Sequence, residues 1–191
     1  MEDLDIVIVI YACYTITKYR DQIEILNQTW VKKCENYKKY KVLYFVGEQN
    51  VTEFVDTEFI TYVNLKGVCD DYFSATYKQF LGLKYVKEHY NARFIISLGT
   101  DTYLNIPKLL LFLTKFDSND NLYIGGHGCE REIGSRRYYF HSGGPGFIIT
   151  RGCLLKLYDR LPTLIADWVD ICTINDIDYL IPCCDEAIAY Y

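Results

Sequence analysis

The strongest constraint on the fold of this chain is a regular alternation of short apolar runs with segments of helical spacing. The runs are rich in Ile, Val, Phe and Tyr, which are favoured in strands. Four of them predict buried strands at 6–13, 40–46, 58–63 and 93–98. Amphipathic spacing between the runs predicts helices at 21–33 and 74–89.

The second half of the chain continues this alternation with shorter elements. It predicts strands at 121–124 and 146–150, and helices at 107–116, 151–160, 163–173 and 185–191. The pattern indicates an α/β fold with a mostly parallel central sheet flanked by helices. No linker or repeat divides the chain, so residues 1–191 are interpreted as a single domain. In such sheets, ligands bind beyond the carboxyl ends of the strands.

Charge and aromatic content narrow the choice of ligand. The 191 residues include 20 Lys and Arg against 25 Asp and Glu, a formal net charge of −5. Because no basic surface is indicated, nucleic-acid binding is not expected. A phosphorylated ligand would need a metal ion or a few local donors to offset repulsion. The sequence contains 19 Tyr, 10 Phe and 2 Trp. Either these residues fill the core and a coding bias raises the number of Tyr, or they line a groove that binds sugars.

The first apolar run and the cysteines indicate in which cellular compartment the protein could reside and whether it could contain disulfides. The run Ile6–Cys13 is far shorter than the roughly 18 to 20 residues of a membrane helix, and it follows acidic rather than basic residues. We therefore expect neither a membrane segment nor a signal peptide, as in a soluble protein or a soluble domain of a longer one. The eight Cys contain no C-x-x-C pair, which argues against a structural zinc site and leaves their disulfide state open.

Three common catalytic signatures are missing from the sequence. The first strand is followed by Ala12-Cys13-Tyr14 and not by G-x-G-x-x-G, which disfavours a dinucleotide-dependent oxidoreductase. No G-x-x-x-x-G-K-[ST] is present, which excludes P-loop chemistry. No G-x-S-x-G is present either, which disfavours an acyl hydrolase.

Asp101 comes directly after the fourth predicted strand, in the segment Gly99-Thr100-Asp101. A carboxylate there can bind a hard divalent cation that bridges diphosphate oxygens and stabilises a leaving nucleotide. The alternative is a turn Asp bonded to its own backbone. His127 and His141 are predicted in loops on the same side, where each is either a second metal ligand or a polar loop residue.

Two later segments carry further candidate chemistry. The loop His141–Gly146 contains three glycines, which either allow positive φ and close ligand approach or simply make a tight connection. Asp185 and Glu186 begin the last predicted helix. An acidic residue there either complements the helix dipole or acts as a general base that removes a proton from an acceptor hydroxyl.

Several segments match, in order, the motifs of one protein family. Thr29-Trp30 matches the end of "R-x-T-W", with Asn27 in place of the Arg. Residues 70–78 match "D-x-Y-x-N-L-T-x-K", and residues 94–104 match a strand ending in "D-D-D-T-Y-V". Residues 142–147 and 184–189 match "S-G-G-A-G-Y" and "E-D-V-x-I-G". Together they resemble the Fringe-like and β1,3-galactosyl/N-acetylglucosaminyltransferase group, glycosyltransferase family 31.

The resemblance implies a GT-A fold, a UDP-sugar donor, Mn²⁺ (or Mg²⁺) and inversion at the anomeric carbon. Asp101 takes the place of the metal-binding Asp, and Asp185 that of the catalytic base. Thr100 replaces the carboxylate that usually reads the donor, so donor identity stays open. The positions implied for donor binding are Tyr11, Arg20, Asp70, Lys78, Thr100, Gly143 and Gly144.

The family's membrane anchor and its downstream metal-binding His have no match in this sequence. We therefore expect a cytoplasmic protein as the chain stands, or one of the Golgi lumen if the chain is trimmed of an anchor. For the missing His, we expect either that the chain is trimmed at its C-terminal end or that another group completes the metal site.

Two functions from different classes follow. The first is a metal-dependent inverting glycosyltransferase that moves a hexose or N-acetylhexosamine from a UDP-sugar to a sugar hydroxyl of a glycan or glycoconjugate. The second is a catalytically inactive module that binds a nucleotide sugar or a glycan, which the thinning of the acidic triplet to Gly-Thr-Asp favours. A third interpretation is a structural part of a larger multi-domain glycan-building enzyme.

Overall fold

The chain folds into a central sheet with a separate hairpin, in a computed structural model that describes residues 1–49, 56–126 and 128–191. The sheet strands are β1 (Glu2–Tyr11), β2 (Tyr40–Gly47), β3 (Ile60–Leu65), β4 (Tyr90–Leu98), β5 (Tyr123–Gly125) and β8 (Phe147–Thr150). The hairpin strands are β6 (Gly128–Ile133) and β7 (Arg136–His141). The six sheet strands have the order β3-β2-β1-β4-β8-β5.

Most of the sheet is parallel, as predicted. The pairs β1–β2, β1–β4 and β2–β3 are parallel, whereas β8 runs antiparallel to both β4 and β5. In the register of the central strand, Ile8 lies between Val42 of β2 and Ile96 of β4. The predicted α/β class with a mostly parallel central sheet is confirmed.

Helices cover both faces of the sheet, because successive strand residues point to opposite sides. The helices are α1 (Thr17–Gln28), α2 (Ala75–His89), α3 (Ile106–Leu113), α4 (Arg151–Tyr158), α5 (Leu161–Ile174) and α6 (Cys184–Tyr190). Ile6, Ile8 and Ile10 pack in the core layer under α1 and α3. Val7 and Val9 pack on the other face, with the apolar residues of α2, α4, α5 and α6. Two 3-10 helices, Lys32–Asn36 and Asp178–Leu180, complete the described elements.

The strand order creates a switch point between β1 and β4. The chain passes from β1 to β2 and β3 on one side, and then returns to place β4 on the other side of β1. The loops after β1 and β4 diverge there, which opens a crevice at the carboxyl ends of the strands. Cys13 and Asp101 lie in these two loops.

The hairpin is the main element that the sequence analysis does not predict. Charged Arg and Glu side chains occupy its exposed positions, and only Ile133, Tyr138 and Phe140 of its residues are buried. Its hydrophobic alternation is therefore weak. At the start of the chain, β1 begins at Glu2 and not at Ile6, because the polar N-terminal residues pair with the beginning of β4.

None of the helices that the structure describes has both the length and the hydropathy of a membrane-spanning segment. All eight cysteines lie within the described residues, and each is a free thiol. Packing of the two core layers, without disulfides, therefore holds these elements together.

One glycine of the loop before β8 is required by its backbone conformation. Gly146 has a φ of +82°, and a Cβ there would lie 2.4 Å from Leu98 Cδ2 and 2.7 Å from the Ser97 carbonyl oxygen. The expected use of positive φ is therefore confirmed at Gly146. Gly143 and Gly144 have no positive φ.

We expect Gly146→Ala to lower the free energy of unfolding by about 1–3 kcal/mol, because its Cβ meets Leu98 and Ser97 and its φ is strained. Gly144→Ala is a matched control in the same loop, since a Cβ there meets only the Ser142 hydroxyl at 3.9 Å. The control should unfold at the same free energy, or up to about 1 kcal/mol higher. Urea unfolding followed by circular dichroism measures both, and equal values for the two variants would contradict the argument.

Candidate active site

A cavity of about 410 Å³ lies at the switch point between β1 and β4. Its volume is in the range typical of small-molecule sites. Residues from both ends of the chain meet in its wall. The predicted site residues that line it are Tyr11, Lys78, Thr100, Asp101, Gly143, Gly144 and Asp185.

Asp101 is exposed on the cavity wall, in a loop that is held from two directions. The indole N–H of the fully buried Trp30 donates to the carbonyl oxygen of Thr102 over 3.1 Å. The Thr102 hydroxyl donates to the Gly144 carbonyl oxygen over 2.8 Å. The Thr-Trp motif therefore fixes the backbone beside Asp101 and joins it to the glycine loop.

Thr100, the residue before Asp101, is buried and bonded to helix α1. Its hydroxyl donates to Gln22 Oε1 over 2.6 Å, and Gln22 also lines the cavity. The amide oxygen of Gln22 accepts this bond, and its NH₂ group can donate hydrogen bonds to a ligand. The uncharged pair of Thr100 and Gln22 therefore lies next to Asp101, which carries the one carboxylate of residues 99–101.

Asp185 lines the cavity from the first turn of α6, and both of its carboxylate oxygens are held. Oδ2 accepts a hydrogen bond from the Gly143 amide over 2.8 Å, and Oδ1 accepts one from the Glu186 amide over 3.0 Å. A Cβ on Gly143 would lie 3.3 Å from both Cβ and Oδ2 of Asp185. The glycine therefore allows the loop backbone to approach Asp185 closely.

Helix α2 and α5 anchor the segment that leads to Asp185. The Thr76 hydroxyl donates to the Ile181 carbonyl oxygen, and Gln79 Nε2 donates to the Cys184 carbonyl oxygen, each over 2.6 Å. The indole N–H of Trp168 donates to the Leu180 carbonyl oxygen over 3.2 Å. These bonds fix the backbone before α6 at the bottom of the cavity wall.

Lys78 is buried, with 1% of its surface exposed, and its ammonium group joins several segments of the wall. Nζ donates to the carbonyl oxygens of Ala12 and Asp71 over 2.7 and 3.1 Å. It also forms an ion pair with Asp70 Oδ1 at 3.3 Å and lies 3.3 Å from Cys13 Sγ. The end of β1 and the loop before α2 are therefore tied to one buried charge.

Asp70 and Arg20, two of the predicted donor-binding residues, are not among the residues that line the cavity. The side chain of Asp70 is 4% exposed and lies behind Lys78, where it also accepts from the Gly47 amide over 2.8 Å and the Thr15 amide over 2.7 Å. Arg20 is exposed on α1. The structure therefore gives Asp70 a supporting position and leaves Arg20 outside the wall.

Of the two histidines considered as second metal ligands, His141 is described by the structure and does not line the cavity with Asp101. The ring of His141 packs against Tyr123, with centroids 4.8 Å apart, and is not part of the cavity wall. His127 lies outside the described residues. Within the residues that the structure describes, no group of three His, Cys, Asp or Glu side chains could hold a metal ion.

The wall of the cavity is acidic. The charged residues that line it are Lys18, Lys78, Asp71, Asp101, Asp185 and Glu186. Lys78 is paired with Asp70, and Glu186 is paired with Arg131, so the remaining charges of the wall are one lysine, Lys18, and the three carboxylates of Asp71, Asp101 and Asp185. A diphosphate would be repelled there without a cation, and such cations are often bound by one or two carboxylates plus substrate phosphates. Asp101 is the exposed carboxylate that fits this requirement.

Burial keeps two other groups of the wall protonated. It raises the pKa of the Tyr11 phenol, whose hydroxyl lies near Ser97 without a well-aligned hydrogen bond. Burial also raises the pKa of the Cys13 thiol, although the neighbouring Lys78 ammonium opposes that shift. Tyr11 is therefore a hydrogen-bond donor at neutral pH, and Cys13 is not a thiolate nucleophile.

Helix α1 supplies wall residues that the sequence analysis does not select. Lys18, Tyr19 and Gln22 line the cavity together. Their spacing of three and four residues places them on one face of a helix. The polar residues at this spacing were the sequence feature that could have indicated a cavity-lining face. The same spacing is found on ordinary solvent-exposed helix faces, so it does not distinguish the two.

Comparison with known proteins places the chain in a family. A sequence model described as Fringe-like matches residues 1–177. The chain is 26% identical over 175 residues to the β-1,3-N-acetylglucosaminyltransferase radical fringe of Xenopus laevis, covering 82% of this chain and 48% of that protein. It is 28% identical over 170 residues to the β-1,3-N-acetylglucosaminyltransferase lunatic fringe of Mus musculus, covering 78% of this chain and 41% of that protein.

A third relative, chondroitin sulfate synthase 3 of Mus musculus, is 32% identical over 107 residues, which cover 52% of this chain and 12% of that protein. The chain spans less than half the length of the two fringe proteins. The six-stranded, mostly parallel sheet flanked by helices is consistent with a GT-A-like fold. With a family match over nearly its whole length, the chain belongs to the Fringe-like family of glycosyltransferases.

Proposed function

We propose that this domain is a metal-dependent inverting glycosyltransferase that moves a hexose or N-acetylhexosamine from a UDP-sugar to a sugar hydroxyl of a glycan or glycoconjugate. The observation that carries the proposal is the meeting of Asp101 and Asp185, which are far apart in sequence, in the wall of one cavity at the switch point. Family membership supports a transferase and a sugar acceptor.

Asp185 is the residue that we assign as general base. Its carboxylate is held by the Gly143 and Glu186 amides, and it lines the cavity where an acceptor hydroxyl would enter. As the acceptor oxygen bonds to the anomeric carbon, its proton passes to Asp185 and the bond from that carbon to the diphosphate breaks. Attack from the face opposite the leaving diphosphate inverts the anomeric carbon.

Asp101 is the residue that we assign to the cation, Mn²⁺ or Mg²⁺, together with oxygens of the diphosphate. A divalent cation held by Asp101 would supply positive charge that stabilises a departing nucleotide. The acidic character of the wall supports this assignment, because the chain's own lysines leave a net negative surface.

The remaining polar groups of the wall suit recognition of the donor. The Gln22 amide, fixed by Thr100, is a donor for ligand oxygens. The Tyr11 hydroxyl lies buried behind the wall and supports it from within. The exposed Gly144 gives the ligand a surface with no side chain in the loop. We assign Lys78 the role of holding the wall loops in position, because its ammonium group is already hydrogen-bonded to the Ala12 carbonyl oxygen and paired with Asp70.

Asp185→Asn should lower kcat for transfer by about 10²- to 10⁴-fold, because the amide cannot accept the acceptor's proton. The measurement uses UDP-N-acetylglucosamine, UDP-galactose and UDP-glucose as donors with a panel of methyl glycosides as acceptors. UDP affinity should stay unchanged, since the substitution keeps the size of the side chain and gives up only one of the two hydrogen bonds from the Gly143 and Glu186 amides. Asp159→Asn, an exposed change at the end of α4, is the control. Transfer by Asp185→Asn at the wild-type rate would remove Asp185 as the base.

A binding module without catalysis is the second candidate function. Thr100 stands where the resemblance would place a carboxylate, and its hydroxyl is bonded to Gln22. Within the described residues, no three-ligand metal group is present. These observations favour a site that binds a sugar nucleotide or a glycan without turnover.

Calorimetry with UDP separates the two functions. For the enzyme, MnCl₂ should tighten UDP binding by about 5- to 150-fold, the usual size of coupling between two ligands. The gain should vanish in Asp101→Asn and persist in Asp159→Asn. Metal-independent binding, with no transfer or donor hydrolysis, would contradict the enzyme and favour the module.

A further inference from the structure

Glu186 is a buried acid whose role the proposed chemistry leaves unexplained. Its residue exposure is 4%, and burial raises the pKa of its carboxyl group. Two side chains of the β6–β7 hairpin oppose that shift. The Tyr138 hydroxyl donates to Glu186 Oε2 over 2.9 Å, and the Arg131 guanidinium forms an ion pair with the same oxygen. Loss of either partner would leave the buried carboxylate with less compensation for the cost of its burial.

The hairpin that holds Glu186 also leads into the loop that holds Asp185. Tyr138 lies in β7, which ends at His141, and the chain reaches Gly143 two residues later. The Gly143 amide donates to Asp185 Oδ2. Asp185 and Glu186, two consecutive residues of α6, therefore both contact residues 131–143. Glu186 contacts the side chains of Arg131 and Tyr138, and Asp185 contacts the backbone amide of Gly143.

Two sets of contacts orient helix α6, namely the core packing of Ala187 and Ile188 and the contacts of Glu186 and Asp185 with this stretch of chain. The helix has seven residues, and its first turn has no side-chain cap. Helices of that length are not stable alone. Helix α2 fixes the backbone up to Cys184, so the contacts of Glu186 with the hairpin restrict how α6 turns about that point.

We infer that Arg131, Tyr138 and Glu186 form a clasp that positions the Asp185 carboxylate towards the cavity. This inference rests on the proposed function, in which Asp185 is the base. The three side chains are positioning residues, since they act through Asp185. A displacement of about 1 Å at a reacting group costs on the order of 10²-fold in rate, so the clasp should control kcat and leave donor binding unchanged.

Arg131→Met and Tyr138→Phe test the clasp, because each removes one partner of Glu186 and keeps an apolar body in place. We expect kcat for transfer to fall by roughly 10- to 100-fold, with the KM for the UDP-sugar unchanged. Arg131→Lys keeps the positive charge and should restore most of the rate. Arg137→Met is the matched control, since Arg137 lies in the same hairpin and its ion pairs among the described residues are with the exposed carboxylates of Glu130 and Glu132.

Amide hydrogen exchange of Gly143, measured by NMR on the whole labelled chain, gives a readout without turnover. Release of Asp185 should speed that exchange by about tenfold or more in Arg131→Met and Tyr138→Phe, and not in Arg137→Met. Unchanged exchange in both clasp variants would overturn the inference, even if the protein transfers no sugar. Transfer that is lost in Asp185→Asn and unaffected in the clasp variants would overturn the clasp and leave the proposed function standing.

Discussion

The buried ammonium group of Lys78 is the interaction on which the cavity depends. It is bonded to the carbonyl oxygens of Ala12 and Asp71 and paired with Asp70, so it joins the end of β1 to the loop before α2. The Asp70 carboxylate in turn accepts a hydrogen bond from the Gly47 amide at the end of β2. A neutral side chain at position 78 would leave Asp70 buried without its counter-charge, at a typical cost of several kcal/mol. The strand ends would then lose their common anchor.

The same network explains what the family motifs do physically. Lys78 of the matched segment bonds to the Ala12 carbonyl oxygen in the cavity wall. Asp70, Thr76 and Trp30 bond to backbone groups of loop or strand residues that adjoin the wall, which are Gly47, Ile181 and Thr102. None of these residues is placed to react with a donor. Asn27, which replaces an Arg of the motif, is also satisfied within the fold, by the hydroxyl groups of two tyrosines. Motif residues here mainly hold the loops in position.

The strands of the sheet could be predicted from the sequence because most of them are buried and form continuous apolar runs. Asp101 could be selected as a candidate site residue because it directly follows one of these predicted strands. Sequence reasoning missed the β6–β7 hairpin, where exposed charges interrupt the pattern and where packing against α6 decides the structure. It also missed Gln22 and the clasp residue Arg131. Their roles come from contacts with Thr100 and Glu186, 78 and 55 positions away, and local periodicity carries no information about such contacts.

The segment Gly99-Thr100-Asp101 changes the chemistry that the wall offers. A carboxylate at position 100 would accept hydrogen bonds from a ligand and would add a negative charge near the phosphates. The Thr100–Gln22 pair offers an NH₂ donor and no charge. Under the proposed function, the group of the sugar nucleotide that meets Gln22 would accept a hydrogen bond, and the cation at Asp101 would offset one negative charge fewer than with a carboxylate at position 100. The departure from the motif is therefore compatible with a sugar-nucleotide site whose recognition relies on donation by the protein.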